Sequence, residues 1–367
     1  MNRIETRVKS SQRNYGIDLL RLVAAFYVVI LHTLHQGGVF NATVPYSHQE
    51  LLCRIVLIMA YCAVNIFGII SGYVGYREPL KKFSFSGYLS LWLTVVFYCL
   101  LFAAFFGYTQ PGSVTVMDLM HVFTPVTSNL FWYFSTFTLV YFLSPFLNKI
   151  LFYSSEKELK QLFLLICGLL STVEFIGTSF GMRGGFSALW LVLLYLVGGI
   201  MKKTGIGSNI SAPAAIFWML LLDFIFFYLG LKWPELPFLG ITFNFNFNRT
   251  YITPCYLAAA ILHVILFSKF RFPRFLQKVI AFATPASFSI YIANTNPFFW
   301  DYFLKDRFVS WGTSSPVGIL GRTFVFSMGF VLAVILVDFC RKKLFRLIGV
   351  HNWERNMSAF FQKDQAV

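Results

Sequence analysis

Charge is scarce in this chain. Lys, Arg, Asp and Glu together make up 12% of its 367 residues, where soluble domains carry about 25%. Acid is scarcer than base, with 15 Asp and Glu against 30 Lys and Arg. So little charge cannot cover the surface of a soluble protein of this length. Cysteine is thin as well. The six cysteines (53, 62, 99, 167, 255 and 340) all fall inside apolar runs and none forms a CxxC pair. That excludes a disulfide framework and a thiolate metal site, and each reads as a small buried hydrophobe. No repeat of about 20–50 residues is found, which argues against solenoids and inverted-repeat transporters. No signal-peptide pattern precedes the first apolar run. That run is too long and too polar for a cleaved segment and is expected to stay as an anchor.

What the chain has in abundance is apolar length. Hydrophobic residues make up 57% of it, and runs near the roughly 20 residues that a bilayer core demands recur throughout. Ten spans are predicted, at 17–36, 52–75, 86–107, 130–150, 161–179, 187–203, 212–231, 251–268, 285–304 and 317–340. The span at 187–203 is the shortest. The links are short and leave no room for a soluble domain.

The bases sort by side. Of the 30 Lys and Arg, 22 lie in the two tails and in alternate links. The opposite links hold 6: Arg183, Lys232, Arg249, Lys305, Arg307 and Arg322. Arg21 and Arg54 lie in or beside spans. By the positive-inside rule both termini are then cytoplasmic. The formal net charge of +15 therefore reads as topology and not as a nucleic-acid footprint. The expected fold class is an all-α polytopic integral membrane protein of about ten transmembrane helices. Its parts would be a cytoplasmic tail (1–16), a transmembrane domain (17–340) and a basic cytoplasmic tail (341–367), set in the inner (cytoplasmic) membrane.

The first span is the chemical oddity. "IDLLRLVAAFYVVILHTLH" (17–35) carries Asp18, Arg21, His32 and His35. Charge at a bilayer centre costs roughly 2.5–3.5 kcal/mol per residue, so such groups face a protein interior or a water-filled cavity. Arg21 and His32 are eleven residues apart, so on a helix they share a face and stand about 16 Å apart along the axis. Asp18 is one turn before Arg21, within reach of an i,i+3 pair. One reading makes Asp18–Arg21 an anchor for the helix end, with His32 hydrogen-bonded in the bundle. The other makes Arg21 a cation for an anionic ligand and His32 a base further out, since His exchanges protons near neutral pH.

This Arg–ten residues–His spacing resembles the membrane-bound acyltransferase-3 family, whose members acylate surface polysaccharides and related glycans. "VNIFGIISGYVGY" (64–76) is similar to the family's Phe-Phe-x-x-Ser-Gly-Tyr motif, with Gly68 in place of one Phe. "NLFWYFSTF" (129–137) resembles its Trp-aromatic motif, and "SFSIYIANTNPFF" (287–299) its late Ser–Tyr motif. Two positions depart from the pattern, with Asn129 and Asn294 where relatives often carry His. The resemblance implies an integral membrane O-acyltransferase that moves an acyl group, acetyl foremost, from cytoplasmic acyl-CoA to a hydroxyl of a cell-surface or exported polysaccharide. It implies His32 as the catalytic His and Arg21 as its partner at the donor site. No bound cofactor or metal is expected, and acyl-CoA is a co-substrate. The expected partners are acyl-CoA, the glycan acceptor, the lipid bilayer and other polysaccharide-synthesis proteins, with no nucleic acid. Whether His32 acts as base or carries the acyl group itself is left open by the residues.

A supporting set follows, each member with a plainer alternative. Asp18 would hold Arg21. Ser71, beside Gly72, would line the path of the pantetheine arm or else allow close helix packing. Asn65 would hydrogen-bond across the bundle. Arg77 is a phosphate contact or a topology charge. Trp132 and Tyr133 would stack on a sugar or belong to the aromatic belt. Glu174 would orient His32 as a carboxylate partner. Arg54 would pair with Glu50 or Glu174, and His263 reads as a core histidine. "FNFNFNR" (243–249) alternates strictly and suits a short extended segment, as an interfacial cap or a sugar-contacting lip. A glycan or lipid-linked precursor flippase is the competing function, and a non-catalytic assembly subunit a third.

Overall fold

The computed structural model describes residues 13–80, 83–177, 180–238, 241–246, 250–350 and 352–353. Much of the N-terminal tail, Lys81, Lys82, Arg249 and most of the C-terminal tail lie outside the described residues.

Helix α1 (Tyr15–Leu34) is the axle of the bundle. It begins where the Asn14 side chain accepts hydrogen bonds from the Gly16 and Ile17 amides, which satisfies donors that a helix start leaves unpaired. Around it pack α2 (His48–Tyr61) and α3 (Ala63–Gly75), one apolar run bent at Cys62. Ser47 caps α2 by accepting from the Glu50 amide. Helix α4 (Phe85–Thr109) crosses next, and α5 (Val116–Phe123) is a short amphipathic turn closed by a Thr115–Asp118 capping box. Then come α6 (Trp132–Tyr153) and α7 (Glu156–Leu164), followed by a π stretch (Leu165–Leu170) that leads into α8 (Ser171–Gly177).

Helices α9 (Ala188–Thr204) and α10 (Ala212–Lys232) precede a hairpin of β1 (Glu235–Phe238) and β2 (Ile241–Asn244). The hairpin pairs Glu235 with Asn244 and Phe238 with Ile241, so the alternating stretch does begin as a strand. Helix α11 (Pro254–Ser268) follows, then α12 (Arg274–Ala283) and α13 (Ser287–Asn294). The chain then breaks at Thr295. It restarts as α14 (Pro297–Phe299) and a π turn (Trp300–Leu304), and ends in α15 (Pro316–Leu347).

Among the described residues, eight helical runs are long and apolar enough to cross a membrane. Two predicted spans fall on shorter helices. Helix α9 has 17 residues and α11 has 15, about 26 and 23 Å of helix against a hydrocarbon core of about 30 Å. Both are densely buried. A third span shifts. The run predicted at 285–304 is observed as Arg274–Asn294, because Pro297 opens a new helix under an Asn296 cap and cannot continue the old one.

Close approach sets the tightest contact. A Cβ on Gly72 would collide with the Tyr195 carbonyl, and one on Gly198 with the Ile69 carbonyl. Helices α3 and α9 therefore meet backbone to backbone, as small residues permit in membranes. For Gly72 the packing reading holds.

Candidate active site

Two cavities meet at one arginine. The larger lies off the N-terminal end of α1. It encloses about 530 Å³ and is lined by Arg13, Asn14, Asp18, Arg21, Tyr73, Tyr76, Arg77, Lys202 and Thr284. Four of these side chains are cationic and one is anionic. Lys202 also sits over the Tyr73 ring, 5.0 Å from its centroid. This is a basic vestibule, with three guanidinium groups and one ammonium in its wall. The second cavity, a chamber of about 430 Å³, lies deeper. Its wall is apolar and aromatic, with Arg21, His32, Ser71, Trp132, Tyr133, Tyr251, Tyr291 and Thr295 among its residues. Arg21 borders both cavities. The helical face predicted for Arg21 and His32 is thus the face that opens on the chamber.

His32 is held from the far side of the bundle. Its Nδ1 lies 2.5 Å from Asn294 Oδ1. An amide oxygen only accepts, so Nδ1 carries the proton and Nε2 keeps its lone pair. The Trp300 ring packs edge-on against the imidazole at 4.9 Å, and its Nε1–H donates to the Asn294 carbonyl at 2.5 Å. The helix break at Thr295 makes this possible. It frees the last carbonyls of α13 and lets Trp300 turn back over them. The imidazole is thus held in one tautomer by Asn294 and packed against Trp300.

Residues 14–339 match the acyltransferase-3 family model, described as an acyltransferase domain. The chain belongs to the acyltransferase-3 family. The match takes in α1 through most of α15, and so every lining residue of both cavities except Arg13. No curated protein and no solved structure matches the chain. With eight long apolar helices, this acyltransferase-3 protein is a membrane acyltransferase.

Two expectations for this acyltransferase are corrected by its geometry. Asp18 pairs with Arg13 and not with Arg21. Spacing put Asp18 one turn from Arg21, but Arg13 precedes the helix and folds back over its first turn. Arg21 lines both cavities. Glu174 does not orient His32. It is buried and accepts from the Phe180 amide at 2.6 Å and the Met182 amide at 2.9 Å, so it ties down the loop after α8. Asn294 takes the role that Glu174 was expected to fill.

The remaining residues of the expected set divide between wall and frame. Ser71 lines the chamber, and its hydroxyl donates back to the Phe67 carbonyl at 2.7 Å. Arg77 lines the vestibule. Trp132 lies in the chamber wall, stacked on Tyr251 with centroids 6.2 Å apart and tilted against Phe186 at 4.7 Å. Tyr133 packs against Tyr291 at 5.6 Å. Asn65 is frame. It is fully buried, donates to the Tyr251 carbonyl at 2.7 Å and accepts from Trp190 Nε1 at 2.9 Å. That bond pins the segment before α11 and with it the Tyr251 wall. Arg54 pairs with Glu50, and His263 is a core histidine whose Nδ1 meets the Ala259 carbonyl at 2.8 Å.

Sequence reasoning did not assign Asn294 and Tyr291 to the site. Both lie in the late motif it quoted. The signal available was the motif itself and the Asn where relatives carry His.

Proposed function

We propose that the protein is an integral membrane O-acyltransferase that takes an acyl group, acetyl foremost, from cytoplasmic acyl-CoA. It delivers that group to a hydroxyl of a cell-surface or exported polysaccharide. The observation that carries this reading is that Arg21 borders both a basic vestibule and the chamber that holds His32. The topology that goes with it has ten crossings, with both termini on the cytoplasmic side of the inner membrane, as the charge asymmetry favours.

In this reading the CoA phosphates rest among Arg13, Arg77 and Lys202. Arg21 marks the neck, and the pantetheine arm passes it and Ser71 into the chamber. The roughly 16 Å between Arg21 and His32 suits an extended arm that ends in a thioester. The glycan hydroxyl approaches from the other side, past Trp132. His32 Nε2 takes its proton as the oxygen adds to the thioester carbon. Collapse breaks the carbon–sulfur bond, and the departing thiolate takes the proton back. The sum is thioester plus alcohol giving ester plus CoA thiol. An acyl-His32 intermediate would use the same placement in two steps.

The test uses the full chain in nanodiscs, with acetyl-CoA and a cell-envelope glycan extract. His32→Ala is expected to lower CoA release by about 10²–10⁴-fold. Arg21→Ala is expected to raise KM for the donor. If folded wild type neither binds acyl-CoA nor releases CoA, the acyltransferase reading of these cavities is lost, and glycan flipping becomes the activity to measure.

A further inference from the structure

Away from the two cavities, the bundle carries a patch that is both apolar and basic. It lies where α12 meets α15. On α12, Arg274, Phe275, Lys278, Val279 and Phe282 are all exposed, and steps of three and four residues put them on one face. On α15, Leu336, Phe339, Lys343 and Arg346 are exposed at the same kind of spacing. The two faces touch, with the Phe282 and Phe339 rings 5.5 Å apart. Lys343 lays its ammonium over the Phe339 ring, 4.4 Å from the centroid, as a long basic side chain does when its stem covers apolar surface.

Depth orders the patch. Helix α15 runs against α1. Gln49, beyond the far end of α1, donates to the Ser314 carbonyl just before α15 at 3.3 Å, and Phe324 packs on Phe26 at 5.6 Å. From Phe324 to Phe339 is about 22 Å of helix, and from Phe26 back to Tyr15 about 16 Å. Phe339 thus lies near the level where α1 begins, and Lys343 and Arg346 lie beyond it. Leu336 and Leu332, also exposed, lie on the other side, toward the middle of the bilayer. Helix α12 leads into α13, whose end meets His32, so Lys278 and Arg274 come before Phe282 on the vestibule side. Both helices show the same order, an aromatic ring and then two bases toward the membrane edge. Charge there is uncompensated. Asp338 is the one carboxylate on either helix, and it is buried and paired with Arg341 and Lys342. Among the described residues, no carboxylate pairs with Arg274, Lys278, Lys343 or Arg346.

We infer that this patch is a binding site for an anionic phospholipid of the vestibule-side leaflet. Four bases at a membrane edge, set below an aromatic and aliphatic strip, match a molecule with an anionic head and an apolar tail. The phosphate rests among Lys278, Lys343, Arg274 and Arg346. One acyl chain lies over Phe282 and Phe339 toward Leu336. A zwitterionic lipid brings the same tail but cancels the charge of its phosphate within its own head, so the site selects by head group. Bases that only fix topology would show no such choice. The inference uses no residue of either cavity and does not rest on the acyl-CoA reading.

The experiment titrates the purified full chain in detergent with phosphatidylglycerol or phosphatidylcholine and counts bound lipid by native mass spectrometry. Wild type is expected to bind phosphatidylglycerol at least about tenfold more tightly. Each base near an anionic lipid is worth about fivefold, so Lys278→Ala/Lys343→Ala should lose about 25-fold in phosphatidylglycerol affinity. Its affinity for phosphatidylcholine should hold. Lys157→Ala/Lys160→Ala removes as much charge from α7 and should bind both lipids as wild type does. Inorganic phosphate at the lipid's concentration should not displace it, since phosphate has no tail to bury. A photoreactive phosphatidylglycerol in nanodiscs should label α12 and α15 of wild type, which decides the matter if the double variant does not fold. Equal binding of the two lipids by wild type overturns the inference. So does a Lys278→Ala/Lys343→Ala variant that keeps the preference, or an equal loss in the α7 control. Displacement by phosphate, or labelling confined to other helices, does so as well.

Discussion

An amide and a carboxylate do different things beside a histidine. Asn294 accepts from His32 Nδ1 and fixes the tautomer without adding charge to an apolar chamber. A carboxylate there would bring a second ion that burial penalises. If His32 is the base proposed above, Asn294→Ala should cost activity by disorienting it, about 10–100-fold in kcat within the range a positioned base contributes. Donor KM should barely change, and steady-state kinetics of CoA release would show it. Glu174 gives the opposite expectation. Its two charge-assisted bonds hold a loop, so Glu174→Gln should lower unfolding stability by about 1–3 kcal/mol and leave kcat within about twofold. A melting curve beside an activity assay separates the two. The common face of Arg21 and His32 was legible in the sequence because both lie on one helix, where spacing dictates the face. The His32–Asn294 contact joins residues 262 apart in the chain, and no spacing rule reaches across that distance. Asp18 was misread for a related reason. A pair allowed by helical geometry competes with partners outside the helix, and Arg13 wins.

At the scale of helices, two features shape the bundle around the chamber. The first is the backbone contact between α3 and α9. Gly198→Val would push a side chain into the Ile69 carbonyl. Overpacking of this kind costs about 1–3 kcal/mol or more, so the variant should yield less folded protein and melt earlier in detergent. The second is the break after α13. Its sequence hint, "NTNP", was visible at 294–297. Its extent was not, because hydropathy counts apolar residues on both sides of Pro297 as one run. Helix α9 shows the same limit in reverse. It is short for a span yet among the best buried helices of the bundle, and hydropathy cannot tell lipid from protein as the apolar surroundings.

For the molecule as a whole, the apolar bulk and the helical class followed from composition, and the cavities did not. The vestibule gathers bases from three separated stretches of chain, Arg13 with Arg21, Arg77 and Lys202, which no local pattern marks as neighbours. If it holds a polyanion, Arg77→Ala and Lys202→Ala should each raise donor KM several-fold with kcat little changed. The effect should shrink as salt shortens the screening length below its physiological value of about 8 Å. A KM series across ionic strength, wild type against each variant, would check it.

The arginine shared by the two cavities has a consequence for the membrane itself. On the proposed reading, a passage that admits acyl-CoA toward the bilayer's middle would also be a short circuit for the ion gradients that membrane maintains. A guanidinium on the wall common to both cavities would raise the energy of any sodium, potassium or hydronium ion that tries to follow, as positive constrictions do in selective pores. On that reading, Arg21 would favour anions along the path and oppose cations.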